Sequence, residues 1–133
     1  MKIKLSKSRQ GFTLVEIMIV VAIIALLASI SVPGFLRARK RSQASRIMND
    51  LRLIDGAVDM YAIENNKAGG AAVTWTDVQK YIKTGTRLYT SGGADILGHN
   101  FTITAVDTAP KVAAATFSAL SDVAPADFWS PFN

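Results

Sequence analysis

The hydrophobic positions of the chain fall into two blocks with different patterns. Residues 12–35 are almost wholly apolar, and residues 17–36 form a run of 20 residues without a charge. As a helix this run would span roughly 30 Å, which is the thickness of the hydrocarbon core of a bilayer. It is apolar on every side, which is rare for the core helix of a small soluble domain. The pattern predicts a membrane-spanning helix over residues 12–36.

Beyond the membrane segment the apolar positions become periodic. A single stripe with spacings of four and three residues is formed by Ile47, Leu51, Ile54, Val58 and Tyr61. This spacing is typical of an amphipathic helix that packs on a core. We predict a continuation of the same helix over residues 37–66 that ends near Asn65 and Asn66.

The remaining residues, 67–133, predict a small α+β head. Thr76 and Gln79 have the spacing of a capping box, which predicts a short helix through Ile82. Residues 87–90 are expected to form a short strand, and residues 100–106 and 112–118 a hairpin joined through residues 107–110. The predicted fold is a long N-terminal helix packed on a small antiparallel sheet.

Charge and composition restrict the function. The formal charge of +5 includes Lys2, Lys4, Lys7 and Arg9; without them, 11 basic residues face 10 acidic ones. A nearly neutral chain has no general attraction for phosphates, which argues against nucleic acid as a partner. The chain has no cysteine and a single histidine, His99, which excludes disulfides and thiolate metal sites. Since no catalytic set or phosphate-binding loop is visible, we predict that the chain is not an enzyme.

The basic residues also predict a targeting segment over residues 1–11. A secretory signal peptide is the main alternative, but its apolar region is usually about 7–15 residues long and ends at a small-x-small site. The present run is longer, and residues 28–31 make a poor site. Basic residues also follow the apolar run, at Arg37, Arg39, Lys40 and Arg41, so charge counting leaves the topology open.

The junction between the leader and the apolar run holds the most informative residues. Gly11 is followed by the aromatic Phe12, and Glu16 is a carboxylate inside the apolar segment. Placing an unpaired carboxylate in lipid costs about 2.5 kcal/mol or more, so Glu16 requires a partner unless it snorkels to the headgroups. The string GFTLVEIMIVVAIIALLASISVP resembles the N-terminal cleavage and methylation motif of type IV pilins and type II secretion pseudopilins.

This resemblance implies a role for each residue of the motif. A membrane peptidase would cut between Gly11 and Phe12 and methylate the new amine of Phe12. Glu16 would become the fifth mature residue and pair with that amine, either within one subunit or between neighbouring subunits of a filament. Pro33 lies where the family often bends the helix, and proline removes one helical hydrogen bond.

The resemblance also implies the pilin fold and a structural role in a filament. The chain would enter the cytoplasmic membrane with its head outside the cytoplasm, then join a periplasmic or cell-surface filament. Its partners would be other copies of itself, the prepilin peptidase, an assembly platform and an ATPase. A pseudopilus is favoured because residues 95–101 weakly resemble a pseudopilin segment. A surface pilus for adhesion or motility and a minor pilin that binds DNA or another ligand remain alternatives.

Two further features stay open at this stage. For the basic cluster between Arg37 and Arg46, contact with lipid headgroups before assembly and with acidic residues of neighbouring subunits afterwards is favoured over nucleic acid, and a solvated face is a further alternative. The resemblance to pseudopilins also raises calcium binding through a late loop, for which Asp122 and Asp127 are the candidates. Two isolated carboxylates are a weak calcium pattern, so we predict no cofactor.

Overall fold

The computed structural model describes Lys2 and residues 10–133. The predicted leader, residues 1–11, therefore lies outside the described residues except for Lys2, Gln10 and Gly11. The chain forms two compact units, Met1–Leu36 and Arg37–Asn133. The helices are α1 (Leu14–Glu64), α2 (Trp75–Val78), α3 (Arg87–Thr90), α4 (Ala114–Ala119) and α5 (Ala126–Trp129), and a 3₁₀ turn at Gln79–Tyr81 follows α2.

The predicted stripe on α1 forms one wall of the core of the second unit. Ile47, Leu51 and Ile54 are fully buried and Val58 nearly so, while Tyr61 is partly buried. The periodicity was therefore sufficient to identify the buried face. The structure adds three residues that the spacing did not single out, Ala44, Met48 and Ala57.

The other wall of this core comes from the short helices and the loops between them. Trp129 is fully buried, and its indole N–H donates to the carbonyl of Ala124 at 3.1 Å. Phe132 is also buried. The remaining apolar side chains of this wall are Val73, Val78, Ile82, Leu88, Phe101, Val106, Val112, Leu120 and Ala124.

The predicted antiparallel sheet is not confirmed, because the described residues contain isolated bridges and no strand. Thr102 and Lys111 exchange two backbone hydrogen bonds of 3.0 and 2.9 Å, but Lys111 lies outside the predicted strand over residues 112–118, so the predicted hairpin is not the one observed. On either side the backbone changes partner: the Phe101 N–H donates to Gly93, and the Thr104 carbonyl accepts from Val73. Because each short stretch bonds a different segment, no continuous ladder forms.

Two segments predicted as strands are helices. Residues 87–90 form α3, since the hydroxyl of Thr86 accepts a hydrogen bond from the N–H of Tyr89 and caps the helix. Most of residues 112–118 belongs to α4, whose first turn is rich in alanine, the residue with the highest helix propensity. In these two segments the helix cap and the helix propensity of alanine had more effect on the backbone than the β-branched residues that suggested strands.

The predicted capping box lies two residues earlier than expected. Asp77 accepts hydrogen bonds from the N–H and the hydroxyl of Thr74, at 2.9 and 2.6 Å, so α2 begins at Trp75. These bonds from Thr74 lower the pKa of Asp77. The amide of Gln79 contacts the carbonyl of Tyr89 at 3.5 Å, rather than the start of the helix. A helix was correctly predicted here, but its first residue was wrong.

Gly93 is a position where the fold requires glycine. Its φ of +87° is disfavoured for other residues, and a methyl group there would lie 2.7 Å from the indole of Trp75. The loop can therefore pass directly beside Trp75 only with glycine at this position.

Asp50 gives a pH-dependent prediction for the stability of this unit. Burial raises the pKa of Asp50, and Arg46 and Arg87 only partly oppose this effect. The folded state therefore binds the Asp50 proton more tightly than the unfolded state does, and the charged form costs stability at neutral pH. We expect Asp50→Asn to raise Tm at pH 7, with the gain shrinking as pH falls through the raised pKa towards about 3.9.

The measurement is thermal unfolding of the full chain in detergent at several pH values, with wild type and variant compared at each. Asp127→Asn serves as the matched control because Asp127 is an exposed aspartate on α5. A lower Tm for Asp50→Asn at pH 7 would show that Arg46 and Arg87 outweigh the cost of burial.

Candidate assembly site at the start of the long helix

The N-terminus of α1 is closed by a reciprocal pair of hydrogen bonds. The backbone N–H of Thr13 donates to Oε2 of Glu16 at 2.7 Å, and the N–H of Glu16 donates to Oγ1 of Thr13 at 3.2 Å. This is a capping box, in which two N–H groups without helical partners are satisfied. Glu16 therefore has a local partner within its own chain.

This contact was not predicted from the sequence, although its pattern is present. Thr13 and Glu16 have the Ser/Thr-x-x-Glu spacing that marks a helix start before an apolar run. The sequence pointed to the amine of Phe12 as the partner of the Glu16 charge, so the role of Glu16 as a cap was missed. The Glu16 side chain has a local partner within its own chain and remains exposed.

The residues of the predicted cleavage site precede the helix and are accessible. Gly11 and Phe12 are exposed and lie outside regular secondary structure, and Phe12 keeps 87% of its surface. A methyl group added at Gly11 would meet nothing within 4 Å, so this unit does not require glycine there for space. An accessible, irregular peptide bond is what a peptidase needs to bind its substrate.

The apolar part of α1 exposes its side chains on every side. It contains the one helix segment among the described residues that is long and apolar enough to cross a membrane, with a mean hydropathy of 2.7 and no part buried. A shallow apolar groove of about 370 Å³ follows one side and is lined by Leu14, Ile17, Met18, Val21, Ala22 and Ala25. Small residues such as these alanines let a second helix approach closely in a membrane.

Pro33 lies inside α1, which continues past it to Glu64. The proline has no N–H to donate to the carbonyl four residues earlier, at Ser29. The hydroxyl of Ser29 donates to the carbonyl of Leu26 at 2.7 Å. A kink at Pro33 stays a prediction.

The two candidate calcium ligands are placed in different environments. Asp122 accepts a hydrogen bond from Nζ of Lys40 at 2.9 Å, and this contact holds its pKa below the ordinary value. Asp127 is exposed on α5. Across the part of the chain that the structure describes, no group of three or more His, Cys, Asp or Glu side chains is suited to a metal ion.

A buried polar cluster that the sequence did not predict lies in the head. Asp95 is fully buried, and its Oδ1 accepts the N–H groups of Leu97 at 2.8 Å and His99 at 3.0 Å. Its Oδ2 accepts the hydroxyl of the buried Thr116, whose oxygen lies 2.8 Å from Nδ1 of His99. Since Thr116 donates to Asp95, the ring of His99 donates to Thr116.

This cluster fixes the loop that follows α3. The backbone carbonyl of Asp95 also accepts from the guanidinium of Arg87 at 2.8 Å. Residues 95–101 are the segment with a weak resemblance to pseudopilins, and the structure gives their aspartate a concrete role as the acceptor that holds the loop on α4.

The start of the chain matches a known family description. This region combines a capped helix start, an accessible Gly11-Phe12 bond and an exposed apolar helix segment that carries Glu16. Residues 6–32 match the prokaryotic N-terminal methylation motif.

Curated relatives extend this similarity. The chain is 40% identical over 68 residues to the type IV major fimbrial protein FimA of Dichelobacter nodosus, which is 51% of this chain and 44% of that protein. It is 37% identical over 59 residues to the type II secretion system core protein G of Klebsiella pneumoniae, 44% of this chain and 42% of that protein. The core protein G of Escherichia coli is 36% identical over 58 residues, 44% of this chain and 40% of that protein.

These matches confirm the resemblance to type IV pilins and pseudopilins. The aligned residues cover only part of this chain and part of each relative. The chain spans less than half the length of the curated relatives it matches. No solved structure matches the chain.

Proposed function

We propose that this chain is a structural subunit of a type IV pilus-like filament, assembled through the N-terminal part of α1. The observation that carries the proposal is the methylation motif over residues 6–32 together with the capped Glu16 inside an exposed apolar helix. A filament subunit has no need of catalysis, and the printed names of the similar proteins describe a fimbrial protein and a secretion-system protein.

The cut after Gly11 gives Glu16 a second partner. It leaves a positively charged amine on Phe12, one residue from the Thr13 N–H that Glu16 already accepts. In a medium of low dielectric constant, an amine of a neighbouring subunit and the Glu16 carboxylate attract each other more strongly than at a surface. Assembly then exchanges a local cap for an intermolecular pair, which sets the position of an incoming subunit along the filament.

The proposed life cycle has a membrane stage and a filament stage. The subunit is first held in the cytoplasmic membrane by the apolar part of α1, with the head outside the cytoplasm. A prepilin peptidase cleaves and methylates it, and an assembly platform with its ATPase moves it into a periplasmic or surface filament. A bend at Pro33 would let the apolar helices of neighbouring subunits pack along a curved path.

A pseudopilus of type II secretion is favoured over a surface pilus. The similarity to core protein G of several organisms supports it, as does the loop over residues 95–101. The similarity to FimA supports a surface pilus to a comparable degree, so the surface pilus is the second candidate.

Intact-mass analysis of the chain purified from membranes tests the proposal. We expect the mature protein to begin at Phe12 and to carry one methyl group on its amine. We expect Gly11→Leu to block the cut, because the recognised glycine is lost, while a Cβ at this exposed position meets nothing within 4 Å. Gln10→Ala, one residue away, is the control and should be processed normally. An uncut chain, or a mature terminus elsewhere, would refute the assignment.

A further inference from the structure

A cluster of exposed arginines follows the apolar part of α1. Arg37, Arg39 and Arg41 lie within five residues of Leu36, the last residue of the uncharged run, and all three are exposed. The first acidic residue after the run is Asp50. The chain therefore carries a concentrated positive charge just beyond the segment that is able to cross a membrane.

The structure separates Lys40 from this cluster. Its ammonium group forms an ion pair with Asp122 at 2.9 Å, the single ion pair among the residues described. The sequence alone grouped Lys40 with its neighbours, whereas in the structure it contacts the head. The charge of Arg37 also helps to lower the pKa of Asp122, but Arg37 stays exposed, as do Arg39 and Arg41. We name Arg37, Arg39 and Arg41 the arginine collar.

The collar surrounds the helix instead of forming a stripe. At about 100° per residue, Arg41 lies about 40° from Arg37, but Arg39 lies about 200° from it. The cations thus occupy opposite sides of α1. A partner that docks on one side, such as a protein surface or a nucleic acid duplex, would reach only part of the collar.

The collar is also at the height of a headgroup layer. With a rise of about 1.5 Å per residue, it lies roughly 1.5 to 7.5 Å beyond Leu36. The headgroup region of each leaflet is about 5 to 7.5 Å thick. Arg46 is exposed too, but it lies about 15 Å beyond Leu36 and so above this layer.

We propose that the arginine collar binds the phosphate groups of anionic phospholipids where α1 leaves the membrane, and that this contact fixes the depth of the unassembled subunit. The proposal rests on the membrane stage of the proposed function. Guanidinium groups form paired hydrogen bonds with phosphate oxygens, and their long side chains reach the headgroups from any side of a helix. Phospholipids surround a membrane helix completely, so they can satisfy cations on opposite sides at once.

The test compares lipid preference among matched variants. The full chain is reconstituted in phosphatidylcholine vesicles with a minor fraction of phosphatidylglycerol, and the association of spin-labelled forms of both lipids is measured. Wild type should prefer phosphatidylglycerol. Arg39→Gln should reduce this preference about fivefold, and the triple variant R37Q/R39Q/R41Q should reduce it further. The preference should also fall at about 1 M salt, where the Debye length is about 3 Å.

Arg46→Gln is the matched control. Arg46 lies two helical turns after Arg39 and about 20° from it around the helix, so both variants lose one exposed cation from the same side. It should keep the wild-type preference. The basic leader residues are present in every variant, so their effect on the lipid preference is the same in each and cancels in the comparison.

Several results would overturn the proposal. An unchanged preference in Arg39→Gln and the triple variant would show that the collar does not bind lipid. An equal loss in Arg46→Gln would show a general effect of charge without a defined depth. A triple variant with normal lipid preference but weakened self-association would identify a second copy as the partner. A chain that fails to enter vesicles refutes the membrane stage as well, whereas a chain that enters without lipid preference refutes the collar alone.

Discussion

Replacing Glu16 by alanine is expected to abolish filament assembly while leaving the cut after Gly11 intact. The variant loses the carboxylate that caps the Thr13 N–H and that we propose pairs with the Phe12 amine of a neighbour. An unpaired charge within the apolar layer costs about 2.5–3.5 kcal/mol, so an amine without its partner disfavours every subunit added. Electron microscopy of filaments and the mass of the membrane-bound subunit measure the two outcomes separately.

Glu16→Gln separates the two roles of this side chain. Its amide oxygen can still accept the hydrogen bond from Thr13, but it carries no charge. If pairing with the amine drives assembly, Glu16→Gln fails like Glu16→Ala. If Glu16→Gln assembles normally, the cap is the required feature and the charge pairing is wrong. Glu64→Ala, which removes an exposed glutamate from the other end of α1, is the control and should form filaments.

Replacing Asp95 by alanine is expected to destabilise the head by about 3–5 kcal/mol. The change leaves two backbone N–H groups and the buried hydroxyl of Thr116 without their acceptor. Each buried donor that loses its partner costs about 1–3 kcal/mol. Because a small domain is stable by only about 5–15 kcal/mol, the loss is a large part of the total.

Chemical denaturation of the full chain in detergent, followed by circular dichroism, measures this loss. Thr116→Val keeps the shape of the side chain and removes only the hydroxyl, so it should cost less than Asp95→Ala. Asp127→Ala removes an exposed aspartate and should change the stability little. Equal stability of Asp95→Ala and wild type would show that the loop holds its position without the carboxylate.

The long helix was predicted well from the sequence for simple physical reasons. The apolar run and the stripe of Ile47, Leu51, Ile54 and Val58 repeat one period over many residues, and α1 ends at Glu64, next to the predicted Asn65. Such patterns are local, because whether a residue of the helix is buried or exposed follows from its position around that one helix. The motif around Gly11, Phe12 and Glu16 is likewise contiguous, so neighbouring residues alone are enough to identify it.

The head was predicted poorly because its contacts are not local. The backbone of Thr102 bonds Lys111, while nearby residues bond Gly93 and residues 71–73. The pattern of apolar and polar residues within one segment cannot predict such changes of partner. Threonine is a second source of error, since Thr86 and Thr74 act at helix starts and neither was predicted to do so. β-Branched residues were counted too strongly as evidence for strands at positions where a threonine caps the free backbone N–H groups of a helix start.

The chain's sequence by itself therefore determined the long apolar helix, the methylation motif and the buried face of α1, since each depends on the order of neighbouring residues. Only the tertiary structure decided that Thr116 meets Asp95 and His99 in the core, because Thr116 lies on a different segment of the chain. It also decided that Lys40 pairs with Asp122 while the arginine collar stays exposed. Lys40 and the arginines of the collar are neighbours in the sequence, but their environments differ. The head covers one side of the helix and leaves its other sides open to solvent.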